Sequence, residues 1–445
     1  MVVNSLRSWL HLLQQKGILQ YVNREVDRRY ELAAVSKKAD GLYTLQFNHV
    51  KGSNIPVGTN IAYSRELLAL ALGIHVEKLA EHFAWAQGHP GQCVMIPSGQ
   101  APVKSKILRP DLTSLPIVVH HEKDGGAFIT AGLLIAKDPE TGIRNVSIHR
   151  LQMFSPQHLG ILMLPRHLRH IYQKAEAMNV PLDIAVVLGV DPIPLLASQA
   201  QVPLGYDELA VAAALYGEPL PMVKCETVNL EVPAQAEIIL EGHMLPHARH
   251  MEGPFGEFPK TYTPPYPKPM IELTAMTTRQ NPIYHTIVPA SNEHFLIGGI
   301  PREGGLLETM RKTVSNVRNV RFTPGGTCRF HAVVSINKKS EEEPKNAILA
   351  AINSSQDIKH IVIVDQDINI FNSQDVEWAI ATRTQAGRDV IIACDLPGNL
   401  LDPSAKNAIS DKMGIDATVP LGQYERFAKI RVPGEEKIRL DDYLK

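Results

Sequence analysis

The chain has 445 residues, 44% of them hydrophobic and 20% charged, and its 45 basic side chains stand against 46 acidic ones for a formal net charge of −1. That balance excludes a protein organised around polyanion or membrane-surface binding, and the length predicts two or three domains with at least one sizeable core. Cys93, Cys225, Cys328 and Cys394 show no CxxC spacing and read as reduced thiols, and the N-terminal segment is too polar for a signal sequence or membrane span, so the expected location is the cytoplasm.

Residues 5–16 predict an amphipathic helix, with Leu6, Leu10 and Leu13 at helical spacing, and residues 18–27 predict a strand of alternating polarity. Residues 64–74 open on Ser64, an N-cap, and run into Leu and Ala as a second helix; Pro90, Pro97, Pro102 and Pro110 then punctuate a loop-rich crossing. From Ala127, AFITAGLLIA, a DPETG turn, IRNVSIHRLQMF and LGILML predict consecutive antiparallel strands. DIAVVLGVDPIPLLAS predicts a buried strand and a proline-started helix, and YDELAVAAALYG a helix with Asp207 and Glu208 in its first turn. VNLEVPAQAEIILEGHML, PMIELTAMTT and NPIYHTIV return to strands, making the middle of the chain a strand-rich barrel or sandwich. GGLLETMRKTVSNV predicts a bridging helix. The succession CRFHAVVSI, EPKNAILAAINSS, HIVIVDQDI, SQDVEWAIATRT, DVIIACD predicts a small α/β domain with a largely parallel sheet, and residues 396–445 a loop-dominated tail.

The most informative stretch is Glu252-Gly-Pro-Phe-Gly-Glu257, whose glycines and proline require a tight loop rather than a helix or central strand. Two acids facing one small volume would keep one of them protonated near neutral pH, as proton delivery requires. A solvated turn with two unrelated glutamates is the plainer alternative. Arg150 closes the strand that begins at Asn145 and calls for a carboxylate or phosphate partner, or for water at a sheet edge. Paired with Glu252, it would leave Glu252 ionised and Glu257 protonated, and the same fork could orient a substrate carboxylate. Asn145, His167 and Glu208 offer mixed O/N donors suited to Mn2+ or Mg2+; taken singly, His167 and Glu208 also read as ordinary helix-start residues. HExxH, GxSxG, GxxxxGK[ST] and strand-linked GxGxxG motifs are missing, and Asp365 and Asp367 read as turn and cap residues.

Taken together, Asn-x-Ser-x-x-Arg (145–150), Pro-Arg-His (165–167), Asp-Glu (207–208), Val-Lys-Cys followed by Asn-Leu-Glu-Val-Pro (223–233), Glu-Gly-Pro-Phe-Gly-Glu (252–257) and Ser-Asp-Lys-Met-Gly-Ile-Asp-Ala-Thr (410–418) resemble the UbiD family in order and spacing, from about residue 5 to about residue 420. The resemblance implies an α+β / α/β fold: an N-terminal α/β lobe (1–110), a split β-barrel binding prenylated FMN (111–303), a bridging helix (304–319), an α/β domain (320–425) that supports oligomerisation and closes over the site, and a tail (426–445). It implies Arg150, Glu252 and Glu257 as the catalytic network. Asn145, His167 and Glu208 would hold Mn2+ on the cofactor phosphate with K+ nearby. Ser147, Ile148, His149, Arg150 and Arg166 would line the cofactor, and Lys412, or its rival Lys406, would approach the phosphate. Arg166 stands where ferulate decarboxylases carry glutamine, which argues against a cinnamate-type substrate. Asn145 and Arg150 point to opposite faces of an ideal strand, so sharing a site requires a bulge or twist between them.

The implied activity is reversible, non-oxidative decarboxylation of an aromatic or heteroaromatic acid. A flavin prenyltransferase would supply the cofactor, and the assembly would be a homo-oligomer, dimer or hexamer. His294 and Arg302, ahead of the expected bridging helix, would suit a second anionic group on the substrate. That pattern resembles the furan-2,5-dicarboxylate decarboxylase (HmfF-like) subgroup; a turn-capping His294 with a surface Arg302 is the alternative. A mono-acid substrate such as a hydroxybenzoate or pyrrole-2-carboxylate, and a flavin-binding protein without decarboxylase activity, stay open at this point.

Overall fold

In the computed structural model, which describes residues 3–444, the first helix spans Leu6–Gln15 and buries Leu6, Trp9, Leu10 and Leu13. Ser5 caps it by accepting from the Ser8 amide, satisfying one of the donors that a helix start leaves free. Strands Leu19–Val22, Thr44–Phe47 and Val57–Thr59 form a small sheet, and its fourth strand is Tyr284–His285. NPIYHTIV was expected to extend the central strands; instead Tyr284 and His285 pair in parallel with Val57 and Gly58, tying the far end of the central region to the N-terminal lobe.

The central sheet runs in the order Phe128–Ile129, Leu151–Ser155, His158–Ile161, Tyr266–Thr278, Ile238–Glu252, Leu182–Leu188, Leu133–Lys137, Arg144–Ile148, all antiparallel, with Lys106–Leu108 added on Tyr266–Thr278. Arg144–Ile148 ends this order and Leu151–Ser155 lies near the other end, yet only His149 and Arg150 separate them in the chain. Such a link spans at most roughly 11 Å. The sheet therefore rolls up until its ends approach each other without pairing, which is a split barrel. Strand structure also breaks at His149 and Arg150, which resolves the opposite-face difficulty: Asn145 and Arg150 are not on one continuous strand. Leu133, Ile135, Ala185 and Val187 enter one core, while Leu134, Ala136, Ile184, Val186 and Leu188 enter another. Burial on both faces explains why these strands read as unbroken apolar runs.

The bridging helix is longer than expected and starts earlier, at Asn292 rather than near 304, and it ends at Thr313. Ser291 caps it by accepting from the His294 amide, and Pro301 lies inside it. Gly298, Gly299 and Pro301 disguise this helix in the sequence. Gly298 and Gly299 serve close packing: a Cβ on Gly298 would lie 1.7 Å from Arg329 Nη2, and one on Gly299 2.8 Å from Cys328 Cβ. His294 and Arg302 are thus on the helix, not before it.

The last domain is a five-stranded sheet in the order Val317–Phe322, His331–Ile336, His360–Asp365, Ile409–Ala417, Val390–Pro397. Its three middle strands are parallel and both edges antiparallel. The 396–445 segment is consequently not all loop, because Ile409–Ala417 is an inner strand; Gly414 permits this, since a Cβ there would lie 2.0 Å from Ile348 Cγ2. Asp365 and Asp367 both pair with Arg383. No helix among the described residues is long and apolar enough to cross a membrane, and the four cysteines are unpaired.

Candidate active site

The barrel, the long helix and the last domain enclose a cavity of about 590 Å³. At one wall, Arg150 donates from Nε and Nη2 to the two oxygens of Glu252, each at 2.8 Å, and from Nη1 to Glu257 Oε1 at 2.7 Å and Thr263 Oγ1 at 2.6 Å. Its guanidinium also lies 4.9 Å from the Phe255 ring centre. Burial works against the Arg150 charge, but Glu257 and Glu252 outweigh it and raise the pKa. The two acids are not equivalent. Glu252 is fully buried behind Arg150 and takes the bidentate fork, whereas Glu257 lines the cavity and its Oε2 meets, among the described residues, only the Phe258 amide at 3.3 Å. Arg150 pairs with both acids, bringing the three residues of the expected network into contact.

Across the cavity, Glu208 opens the helix Glu208–Tyr216 and is almost fully buried. Its carboxylate accepts from Asn145 Nδ2 at 2.8 Å and from the Val146 amide at 2.7 Å. Burial pushes Glu208 up to about 8. Asn145 Oδ1 is buried without a hydrogen-bond partner among the described residues. His167, first residue of the helix His167–Ala177, lines the same cavity, its pKa lowered by burial and then by Arg166 and His170. Ser147, Ile148 and His149 also line it. His149 Nδ1 lies 2.9 Å from the Leu162 carbonyl, which can only accept, so Nε2 is the acceptor for the Ser147 hydroxyl at 2.9 Å. Burial holds His149 down to about 4, and the ring is neutral.

The third wall is a cationic cluster that the sequence only half revealed. Arg302, buried on the long helix, donates Nε to Asp357 at 3.1 Å and Nη1 to the Gly298 carbonyl at 2.7 Å. Arg166 reaches the same Asp357 oxygen at 3.3 Å. Arg329 lines the cavity with its Nη1 on the Cys328 carbonyl at 3.0 Å; burial first, and Arg302 next, lower it to about 9. Burial tends to raise Asp357, but Arg302, Arg166 and Arg329 hold it well below the usual carboxylate range. His294 Nδ1 accepts the Ala290 amide at 3.1 Å, so its hydrogen is on Nε2, and burial lowers it to about 3, leaving a neutral donor. Two guanidiniums thus pair with Asp357 while Arg329 bonds only backbone carbonyls among the described residues, and the excess positive charge suits an anion.

Sequence reasoning missed Arg329 and Asp357. Arg329 follows Thr327 and Cys328, both at positive φ (57° and 52°), in a turn where a strand was expected. A lone arginine in the apolar run CRF was the available signal. Lys412 is a correction: it does not line the cavity, and its Nζ donates to the Ile352 and Ser355 carbonyls at 3.2 and 2.9 Å, closing the end of the helix Glu343–Ser354. Alternation along its strand turns Lys412 and Gly414 toward that helix. Lys406 is exposed and is not at the cavity either.

The 3-octaprenyl-4-hydroxybenzoate carboxy-lyase N-terminal domain matches residues 10–87, the Rift-related domain residues 94–292 and the C-terminal domain residues 295–417. The chain belongs to the UbiD family. Its similarity to the UbiD-class enzyme HmfF from Pelotomaculum thermopropionicum, solved in complex with FMN, is 55% identity with a TM-score of 0.97 over 99% of this chain and 100% of that one. The apo 3,4-dihydroxybenzoic acid decarboxylase from Enterobacter cloacae superposes with a TM-score of 0.92 at 29% identity over 100% and 99% of the two chains. Among curated relatives, the anhydromevalonate phosphate decarboxylase of Methanothermobacter thermautotrophicus is 38% identical over 96% of this chain and 99% of that protein. As a UbiD member the chain is a carboxy-lyase, with the mixed α/β architecture of that class.

Proposed function

We propose that this UbiD enzyme uses prenylated FMN to decarboxylate furan-2,5-dicarboxylate to 2-furoate and CO2. The observation that carries the reading is that Arg150 and Glu257 line one cavity together with His294, Arg302 and Arg329. One carboxylate can then meet the reactive pair while the other meets the cationic cluster. The HmfF-like pattern in the sequence, and the similarity to HmfF structures solved with FMN and with prFMN, support the same assignment.

The residues present fit the groups the family implies. The cavity volume falls in the range of ligand and cofactor sites, roughly 300–1,000 Å³. The unpartnered Asn145 Oδ1, the buried Glu208 carboxylate and the His167 imidazole, its pKa lowered by burial, offer mixed O/N donors suited to Mn2+. Asn145, His167 and Glu208 would hold the divalent ion, and Ser147, Ile148, His149 and Arg166 would line the flavin. Bound there, prenylated FMN would supply the electron sink for the pair released when the carbon–carboxylate bond breaks.

The chain's own residues do the rest. Glu252 fixes the Arg150 guanidinium with two parallel hydrogen bonds, and the uncommitted Nη2 hydrogen orients the leaving carboxylate. Glu257, which lines the cavity, delivers the proton that replaces CO2 on the ring carbon. The retained carboxylate meets Arg302, Arg329 and the His294 Nε2–H. Since proton and CO2 exchange at one carbon, high CO2 drives the reverse reaction.

The cationic cluster also favours a second reading, an unsaturated acid carrying a phosphate, of the kind named for the curated relatives. Co-expression with a flavin prenyltransferase, followed by CO2 release assays on furan-2,5-dicarboxylate, pyrrole-2-carboxylate, hydroxybenzoates and anhydromevalonate phosphate, separates the readings. Furan-2,5-dicarboxylate should give the highest kcat/KM. Preference for the phosphorylated acid would replace the first reading with the second, and preference for a mono-acid would refute both.

A further inference from the structure

The loop that carries Glu257 is held from outside the cavity by a turn with no part in the chemistry above. Residues 121–126 press against residues 253–256 backbone to backbone. The Gly125 amide donates to the Pro254 carbonyl at 2.7 Å, and a Cβ on Gly125 would lie 2.2 Å from the Gly253 carbonyl oxygen. On the other side of the contact, a Cβ on Gly256 would lie 2.6 Å from His121 Nδ1. Gln152 stitches the two segments together, accepting from the Gly253 amide at 2.7 Å and donating to the Gly125 carbonyl at 2.9 Å.

Asp124 is at the centre of this contact. Its side chain is fully buried, and among the described residues no lysine or arginine pairs with it. Oδ1 accepts from the Gly256 amide at 2.9 Å and Oδ2 from the His121 amide at 2.9 Å, with His121 Nδ1 at 3.7 Å. A buried carboxylate held mainly by amides is costly unless those amides have to be held. The amide in question belongs to the residue before Glu257. On the facing strand of the same ribbon, Phe255 and Gly256 pair with Thr263 and Tyr262, and the Glu257 amide donates to the Thr261 carbonyl at 2.9 Å. The Phe255–Gly256 peptide is therefore held by Asp124 and the next one, Gly256–Glu257, by Thr261, and rotation of either would swing the Glu257 carboxylate away from Arg150.

We propose that Asp124 is a positioning residue for Glu257: by accepting the Gly256 amide it fixes the Phe255–Gly256 peptide, one unit before the residue from which the proton-delivering side chain projects. This rests on the reading of Glu257 as the proton donor. Asp124 touches neither substrate nor cofactor, so its loss should lower kcat while leaving KM and bound flavin nearly unchanged. A displacement of about 1 Å at a reacting group costs on the order of 10²-fold in rate.

The test compares Asp124→Leu, which removes the acceptor at similar volume, with Asp124→Asn, which keeps one, both as holoenzyme. Two readouts are taken: kcat and KM for furan-2,5-dicarboxylate, and amide hydrogen exchange in the peptide spanning residues 252–258. In D124L, kcat should fall about 10²-fold with KM within about twofold of wild type, and the Gly256 amide should exchange faster. D124N should keep kcat within about fivefold and retain protection, because a neutral acceptor replaces a charged one. A D124L enzyme with wild-type kcat, or D124N failing as badly as D124L, overturns the proposal. If D124L does not fold, a D124N enzyme that loses more than about tenfold in kcat with Gly256 still protected overturns it equally. A wild type that releases no CO2 refutes the functional reading instead, and exchange then decides the positioning alone: unchanged Gly256 exchange in D124L, or in D124N exchange as fast as that of an unprotected amide, overturns it.

Discussion

Replacing Arg302 with methionine retains most of a buried side chain's volume and removes its donors. In the structure, Nε is committed to Asp357 and Nη1 to the Gly298 carbonyl, so Nη2 is what remains for a ligand in the cavity. A hydrogen bond between a guanidinium and a carboxylate contributes roughly 1.5–3 kcal/mol, or about 10- to 150-fold in affinity. The second carboxylate of furan-2,5-dicarboxylate does not react, so the loss should fall mainly on KM. Pyrrole-2-carboxylate has only the reacting carboxylate, and its kcat/KM should change by less than about threefold. Asp357 keeps Arg166 and Asn399, at 3.3 and 2.7 Å, so destabilisation should stay near 1–3 kcal/mol. The assay is CO2 release from both acids by the holoenzyme, with thermal unfolding alongside. Equal losses on the two acids, or none on the dicarboxylate, would refute the assignment of Arg302 to the second anion.

Gly298→Ala places a Cβ against Arg329 Nη2; it should lower kcat/KM for the dicarboxylate at least about tenfold and destabilise the fold by about 1–3 kcal/mol, read by kinetics and thermal melts. Asn145→Leu removes the unpartnered acceptor beside Glu208 and should weaken Mn2+ binding by at least about 10- to 100-fold in a direct titration, with EDTA dialysis stripping the wild type of metal. His120 is buried and its pKa is pushed down to about 3, burial dominating over the opposing pull of Asp124. Its folded value lies below the ordinary value near 6.5, so the stability from keeping the ring neutral is complete above about pH 6.5 and is lost as pH falls, at about 1.4 kcal/mol per pH unit, until the folded value is reached. His120→Gln should therefore show a shallower decline of melting temperature between about pH 6 and pH 4.

The trio of Arg150, Glu252 and Glu257 was legible because its members break local rules: an arginine ending a segment of alternating polar and apolar residues, and two acids in a stretch where glycine and proline disfavour regular structure. What the sequence could not supply was the break at His149 and Arg150, a consequence of sheet closure between strands far apart in the order. The long helix was half hidden because Gly298 and Gly299 are chosen for contact with Arg329 and Cys328, not for helix propensity. Arg329 and Asp357 lie in turns whose neighbours come from other elements, and no local periodicity marks them. Lys412 resembled a phosphate ligand by motif, yet its partners are carbonyls one layer behind the cavity. Motif fixes order along the chain; which face a residue takes depends on strand register and on the helix packed above it.

The decisive measurement is turnover of the prenylated-FMN holoenzyme carrying Glu257→Gln, which keeps size and hydrogen bonding to Arg150 but cannot deliver a proton. CO2 release from furan-2,5-dicarboxylate should fall by about 10²- to 10⁴-fold while the flavin and the acid still bind. A Glu257→Gln enzyme that decarboxylates at the wild-type rate would contradict the role given to the cavity-lining carboxylate, and with it the purpose assigned to Arg150 and Glu252.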